Sequence, residues 1–210
     1  MIEQTLAALE AGIHLPLVLV FWPVPFGLAF WAVYLWTRHG EHRVLCRGPS
    51  RERRDKDAGS WQMIDYGSKA ARLLALLVAF VTAPAFEGWE RVTLYGAGVL
   101  VMLVGALVRR YCFRALGSNF TFQVTVSEKS ALVTEGIYRW VRHPSYTGGM
   151  IYNIGIGLAL TNWWSVLLLG AGMAAFYVYR VRVEEAALCR THSEYADYMR
   201  HTKRFIPFVF

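Results

Sequence analysis

Apolar and polar positions along this chain fall into long blocks. From His14 to Trp36, 23 residues carry no Asp, Glu, Lys or Arg. That length suffices to cross a hydrocarbon core of roughly 30 Å. Pro16, Pro23 and Pro25 predict a kinked or late-starting first helix. Further apolar runs predict spans at 69–86, 92–108, 145–160 and 162–183. The last two are separated only at Thr161-Asn162-Trp163-Trp164, so they predict a two-helix hairpin. Gly96, Gly98 and Gly105 in the third run, and Gly148, Gly149, Gly155 and Gly157 in the fourth, permit close helix contact in lipid. Polar blocks fill 37–68 and 109–144, and a polar helical pattern runs from Arg182 to about His201. Val124-Thr-Val126 and Ala131-Leu-Val133 are too short to predict a sheet. The pattern predicts one all-α integral membrane domain over 1–210. It has five transmembrane helices, a C-terminal cytoplasmic helix and a cytoplasmic-face pocket.

Composition supports that class: 55% of residues are hydrophobic, above the share of an average soluble domain. A net charge of +7 raises nucleic-acid binding, but the basic residues sit in blocks between apolar runs, which argues against a continuous binding face. Their placement reads instead as topology. With five spans and a cytoplasmic C-terminus, 21 of the 22 Lys and Arg lie on the inside, and only Arg91 lies outside. The first basic residue is Arg38, so a charged leader before the first apolar run is missing and that run is expected to remain as an anchor. The Ala- and Arg-rich composition points to a bacterial inner membrane, N-terminus out. Cys46, Cys112 and Cys189 form no CxxC, and His39-Gly-Glu-His42 with Cys46 fits no standard zinc spacing, so no metal is expected.

This topology brings separate polar residues to one mouth. Arg142-His143-Pro144 opens the hairpin, Glu184-Glu185 closes it, and Tyr195, Tyr198 and Arg204 follow. Arg142 carries a planar fork suited to carboxylate or phosphate. His143 can both donate and accept a hydrogen bond, and Pro144 disfavours helix at the residue before it. Glu184 and Glu185 point about 100° apart on a helix, so one of them is expected to face inward. Arg180 and Glu184 stand four residues apart, where a surface ion pair would suffice to explain both.

The order of these residues resembles the isoprenylcysteine carboxyl methyltransferase family and the related membrane phospholipid methyltransferases. The resemblance covers about residues 116–208. It rests on Leu132-Val-Thr-x-Gly-x-Tyr-x-x-x-Arg-His-Pro-x-Tyr-x-Gly148, then Glu184-Glu185, Tyr195-x-x-Tyr198 and Arg204-Phe-Ile-Pro207. Two departures stand out: Ile137 where many members have Pro, and His192-Ser193-Glu194 without the Gly that precedes Glu-Tyr in many members.

The resemblance implies an S-adenosylmethionine-dependent methyltransferase that releases S-adenosylhomocysteine. Carried over by position, Tyr138, Arg142, His143, Pro144 and Tyr146 fall in the cofactor-side motif. Glu184 and Glu185 take the acidic pair, and Arg204 the C-terminal arginine. Arg142 or His143 is expected to meet the donor's amino-acid end, a glutamate its ammonium or the acceptor, and Tyr195 or Tyr198 its adenine. Catalysis is assigned to Arg142, Glu184, Glu185 and Arg204, and cofactor binding also includes Glu185. Substituting Arg142 or Glu185 by Ala is expected to abolish turnover with melting largely intact.

The implied partners are the lipid bilayer and a lipid-like, prenylated or small hydrophobic acceptor with a carboxyl, amine or thiol nucleophile. No feature calls for nucleic acid or an obligate protein partner. Two other readings stand beside this one. Membrane sterol reductases resemble the C-terminal half and use NADPH, and a non-catalytic membrane binding protein could keep the same shape.

Overall fold

The computed structural model describes Val20 and residues 24–45, 60–82, 88–117 and 132–205. Predictions at Pro16, Pro23, Cys46, Val124–Val126 and Ile206-Pro207 lie outside the described residues. Among the described residues six α-helices follow in order: α1 Val24–Leu45, α2 Ser60–Val81, α3 Gly88–Leu116, α4 Pro144–Ala159, α5 Trp163–Thr191 and α6 Tyr195–His201. A short 3-10 turn, Gly136–Arg139, precedes α4. Among the described residues the one β contact is an isolated parallel bridge between Val141 and Lys203.

Several boundaries differ from the sequence pattern. The first helix runs on past Trp36 to Leu45, and α2 begins at Ser60, so the polar block at 37–68 is largely helical at both ends. Tertiary pairing explains the extension: Glu41, one turn beyond the apolar run, is bound by Arg109 of α3 at 2.6 Å. The third helix reaches Leu116 rather than ending near 108. The last apolar helix continues unbroken to Thr191, carrying the acidic pair on the same rod as the hydrophobic run.

Helices consecutive in the chain alternate in direction, which sets α1 and α3 the same way. Tyr95 donates to the Phe26 carbonyl near the start of α1, and Arg109 meets Glu41 near its end, so α1 and α3 run parallel. The closest packing joins α3 and α4. A Cβ added at Gly105 would lie 2.8 Å from Tyr152 Cα, and one at Gly98 would lie 2.8 Å from Ala159 Cα. Glycine at these positions lets the two backbones touch, as small residues do between helices in lipid. Tyr95, Met102, Ala106, Tyr152, Ile156, Ala159, Leu160 and Leu169 fill the shared interior.

The outer faces stay apolar. Leu73, Leu77, Phe80, Leu100, Val104 and Leu167 are each at least half exposed. By length and hydropathy, α3 and α5 are each able to cross a membrane. A polar knot closes the end opposite the mouth: Arg91 donates to Thr161 at 3.2 Å, and Asn162 caps α5 through Ser165 N at 3.0 Å.

Candidate active site

Backbone conformation sets the mouth before any side chain acts. Gly136 sits at φ +62, in the left-handed region that a side chain disfavours, and opens the 3-10 turn. Pro144 occupies the first turn of α4, where its missing N–H costs nothing. Its ring keeps His143 out of the helix, so Arg142 and His143 are left with backbone N–H groups free to bond elsewhere. They bond to the C-terminal segment: Arg142 N to Lys203 O at 2.8 Å, and His143 N to Arg204 O at 3.1 Å. Thr147 Oγ1 adds a bond to the Phe205 carbonyl at 2.8 Å. The residues after α6 are thus laid alongside the turn that opens α4.

Side chains then converge on Glu185, which is 5% exposed. Its Oε1 accepts from Arg142 Nε at 3.0 Å and faces His143 Nε2 at 3.2 Å. Its Oε2 accepts from Arg204 Nη2 at 2.7 Å. Arg142 Nη1 also donates to the Met199 carbonyl at 3.1 Å and to the Thr202 carbonyl. One carboxylate therefore ties together the α4 entry, the end of α5 and the segment after α6. Burial pushes the Glu185 carboxyl up, but the hydrogen bonds from His143, Arg204 and Arg142 outweigh it and hold the group at about 2.

Glu184 also faces protein. Its Oε2 accepts from Tyr146 Oη at 2.7 Å, and Arg180 Nε donates to the same hydroxyl at 3.2 Å. The expectation of one inward glutamate is corrected: the two carboxylates enter two adjacent clusters, because Glu185 meets His143 just before α4 and Glu184 meets Tyr146 in its first turn. Arg180 is likewise 3% exposed and bonded to Tyr146 and Ser60, not turned to the surface beside Glu184. It was missed as a site residue, although its four-residue spacing to Glu184 placed it on the same helix face.

Tyr195 is 2% exposed and its ring centroid lies 5.7 Å from that of Tyr198. The Tyr198 hydroxyl donates to the Tyr138 carbonyl. Burial raises both phenols, Tyr198 to about 12 despite the opposing charge of Arg142, so both remain protonated donors at neutral pH. Tyr138 is buried, its hydroxyl beside the Cys112 thiol. All of the expected residues (Tyr138, Arg142, His143, Pro144, Tyr146, Glu184, Glu185, Tyr195, Tyr198 and Arg204) lie at one end of the bundle. Arg142 and Glu185 spend their polar atoms on each other, on His143 and Arg204, and on the Met199 and Thr202 carbonyls. Among the described residues, Glu184 Oε1, Arg204 Nη1 and the Tyr195 hydroxyl have no hydrogen-bond partner.

Residues 98–190, which hold this constellation apart from α6 and the segment after it, match the model of the isoprenylcysteine carboxyl methyltransferase family. Through this region the chain is similar to that family. Relatives include the protein-S-isoprenylcysteine O-methyltransferase of Rattus norvegicus, 34% identical over 55% of this chain and 42% of the rat protein. That of Dictyostelium discoideum is 30% identical over 64% of this chain and 60% of its own. The chain thus spans about half the length of the curated relatives it matches. A solved structure of the eukaryotic intramembrane Ras methyltransferase of this family covers 97% of this chain and 75% of its own, at TM-score 0.60 and 22% identity. That likeness is one of fold.

Proposed function

We propose that this protein is an integral membrane S-adenosylmethionine-dependent methyltransferase whose acceptor is prenylated or otherwise lipid-like. The observation that carries the reading is the clasp centred on Glu185. It gathers Arg142 and His143 with Arg204, and among the described residues leaves one oxygen of Glu184 and one nitrogen of Arg204 unbonded beside it. That donor set fits the methyl donor. Glu184 Oε1 suits an ammonium, Arg204 Nη1 suits a carboxylate, and the Tyr195–Tyr198 pair suits an adenine. The anion contact expected of Arg142 therefore passes to Arg204, because the Arg142 fork is engaged by Glu185 and two backbone carbonyls.

Bound there, S-adenosylmethionine supplies a sulfonium methyl for in-line displacement. The chain's own part is alignment, and alignment alone supplies a large share of such a rate. Glu185 fixes Arg204 at the site's rim. Tyr146, held by Arg180, fixes the orientation of Glu184. The segment after α6 covers the α4 entry and keeps water from it. The relatives' names point to oxygen as the nucleophile, and a carboxylate arrives ionised and needs no base from the protein. An amine or thiol acceptor would require a base, and Glu184 is the carboxylate with an open oxygen. The apolar outer faces of the bundle suit an acceptor that arrives from the bilayer.

The same reading takes the chain as one membrane domain with a methyltransferase region over 116–208. It has five spans, its N-terminus outside and the mouth on the cytoplasmic side of a bacterial inner membrane. The charge asymmetry supports it. Calorimetry of the detergent-solubilised protein with S-adenosylhomocysteine and with NADPH tests the donor. Binding of the first and not the second is expected. Binding of NADPH alone would overturn the reading in favour of a reductase. Isotopically labelled donor incubated with lipid extracts, followed by mass spectrometry, then identifies the acceptor.

A further inference from the structure

Charge placement along the chain makes Arg72 one more flank of the second apolar run. The folded chain gives it another position. It shares a helical face of α2 with Ser68, Ala75 and Ala79, all buried, so it points into the bundle. It stands about 18 Å along α2 from Ser60, the residue that Arg180 holds near the mouth. On either side of it α2 is pressed against α5. A Cβ added at Gly67 would lie 2.7 Å from the Phe176 ring, and Ser165 Oγ donates to the Ala75 carbonyl at 2.7 Å. Arg72 Nε is closed off from solvent while the residue as a whole stays part-exposed. Arg72 makes no hydrogen bond or ion pair among the described residues.

Its surroundings offer hydroxyls and no free anion. Arg72 acts by charge on the hydroxyls of Tyr152 and Tyr177, both buried residues. The Tyr152 hydroxyl has no hydrogen-bond partner among the described residues, and Tyr34 and Thr37 of α1 lie on its other side. The acids of α1 and α2 are spent elsewhere among the described residues: Glu41 on Arg109 at 2.6 Å and Arg38 at 3.5 Å, Asp65 on Lys69 at 2.7 Å. Because α1 packs mainly on α3 and α2 mainly on α5, a seam runs between α1 and α2 with Tyr152 at its floor. A cation set among apolar helices without an anion is costly, and an arriving anionic head removes that cost, whereas an ammonium adds to it. The seam also borders the methyl-transfer mouth. The Tyr177 ring lies 5.2 Å from that of Tyr146, whose hydroxyl donates to Glu184 at 2.7 Å.

We infer that Arg72, with the Tyr152 hydroxyl beside it, receives the carboxylate of a long-chain lipophilic acid and so selects an anionic acceptor over an amine. This role rests on the methyl-transfer reading, and it narrows the acceptor classes open under that reading to the carboxylic acids.

Calorimetric titration of the full chain in detergent tests it with three probes that share one tail: farnesoic acid, its carboxamide and farnesylamine. The acid should bind about tenfold more tightly than the carboxamide, and the amine more weakly than either. Arg72→Gln should bring the acid down to the level of the carboxamide and leave the carboxamide unchanged. Arg72→Lys keeps the charge and should retain part of the preference. Lys69→Gln, an exposed cation one turn away on the same helix, should alter nothing. Equal binding of acid and carboxamide, tightest binding of the amine, binding of none of the three, or an acid preference that survives Arg72→Gln would overturn the proposal. Where Arg72→Gln folds poorly, the comparison of acid with carboxamide on the unaltered chain and on Arg72→Lys decides it. S-adenosylhomocysteine binding is measured on every sample and should be the same throughout. If it persists while the acid preference is missing, only the role of Arg72 fails; if the unaltered chain does not bind it, the methyl-transfer reading itself fails.

Discussion

Arg204 Nη2 meets Glu185 Oε2 at 2.7 Å, and through this pair the segment following the last helix is fastened to the acidic end of α5. Arg142 holds the other oxygen of the same carboxylate at 3.0 Å. The three side chains form one unit, buried at Arg142 and Glu185 and part-exposed at Arg204, with Glu185 as its only anion.

Removing that anion leaves two guanidinium groups and His143 clustered without compensation. Glu185→Ala is therefore expected to lower both turnover and stability, since deleting one partner of a buried pair costs roughly 3–5 kcal/mol. This revises the sequence-based expectation that melting would be spared, because Glu185 and Arg142 are bonded to each other and not to solvent. Thermal unfolding in detergent, compared between Glu185→Ala and Glu184→Ala, checks it. Equal melting temperatures in both would refute the clasp.

Glu184 is expected to behave differently. One of its oxygens is open, so Glu184→Gln should weaken S-adenosylhomocysteine binding about tenfold or more, as loss of a charge-assisted contact does, with a smaller change in melting. Calorimetric titration of the variant reads this directly. Unchanged affinity would remove Glu184 from the donor site.

Tyr146 bridges Arg180 and Glu184 through its hydroxyl, at 3.2 and 2.7 Å. Tyr146→Phe keeps the ring and removes the bridge. It should raise the KM for the donor more than it lowers kcat, because it loosens Glu184 without touching the reacting atoms. A loss confined to kcat would argue against this positioning role.

The acid limb of stability follows from Glu185. Its carboxyl titrates at about 2 in the folded protein, against an ordinary value of 4.5. Above about pH 4.5 both folded and unfolded chains carry the charge and the stabilisation is complete. As pH falls from there toward 2 the unfolded chain takes up the proton first, and the stabilisation is lost. Melting temperature followed from pH 6 to pH 3 should therefore fall, and the fall should be shallower in Glu185→Gln.

Gly105 offers a test of the scaffold. Gly105→Leu would drive a side chain into the α4 backbone at Tyr152, where overpacking costs roughly 1–3 kcal/mol. Reduced yield and a lowered melting temperature are expected, with Gly96→Leu as the control because nothing lies within 4 Å of its Cβ position.

Much of this was legible in residue order. Apolar run lengths marked α3, α4 and α5 to within a turn or so at most ends, and the glycines marked the α3–α4 contact, because both signals are local properties of the chain. Arg142-His143-Pro144, the acidic pair and the two tyrosines marked the mouth for the same reason. Helix ends in polar blocks were not legible: the extension of α1 to Leu45 accompanies Glu41 pairing with Arg109, 68 residues away. Nor was the choice of partners. Glu185 binds Arg142 and Arg204, Glu184 binds Tyr146, and Arg180 turns inward to Tyr146 and Ser60 only once α2, α4 and α5 are packed. Hydropathy averages over neighbours in sequence, whereas an ion pair depends on distances of about 3 Å between side chains that the folded backbone alone brings together.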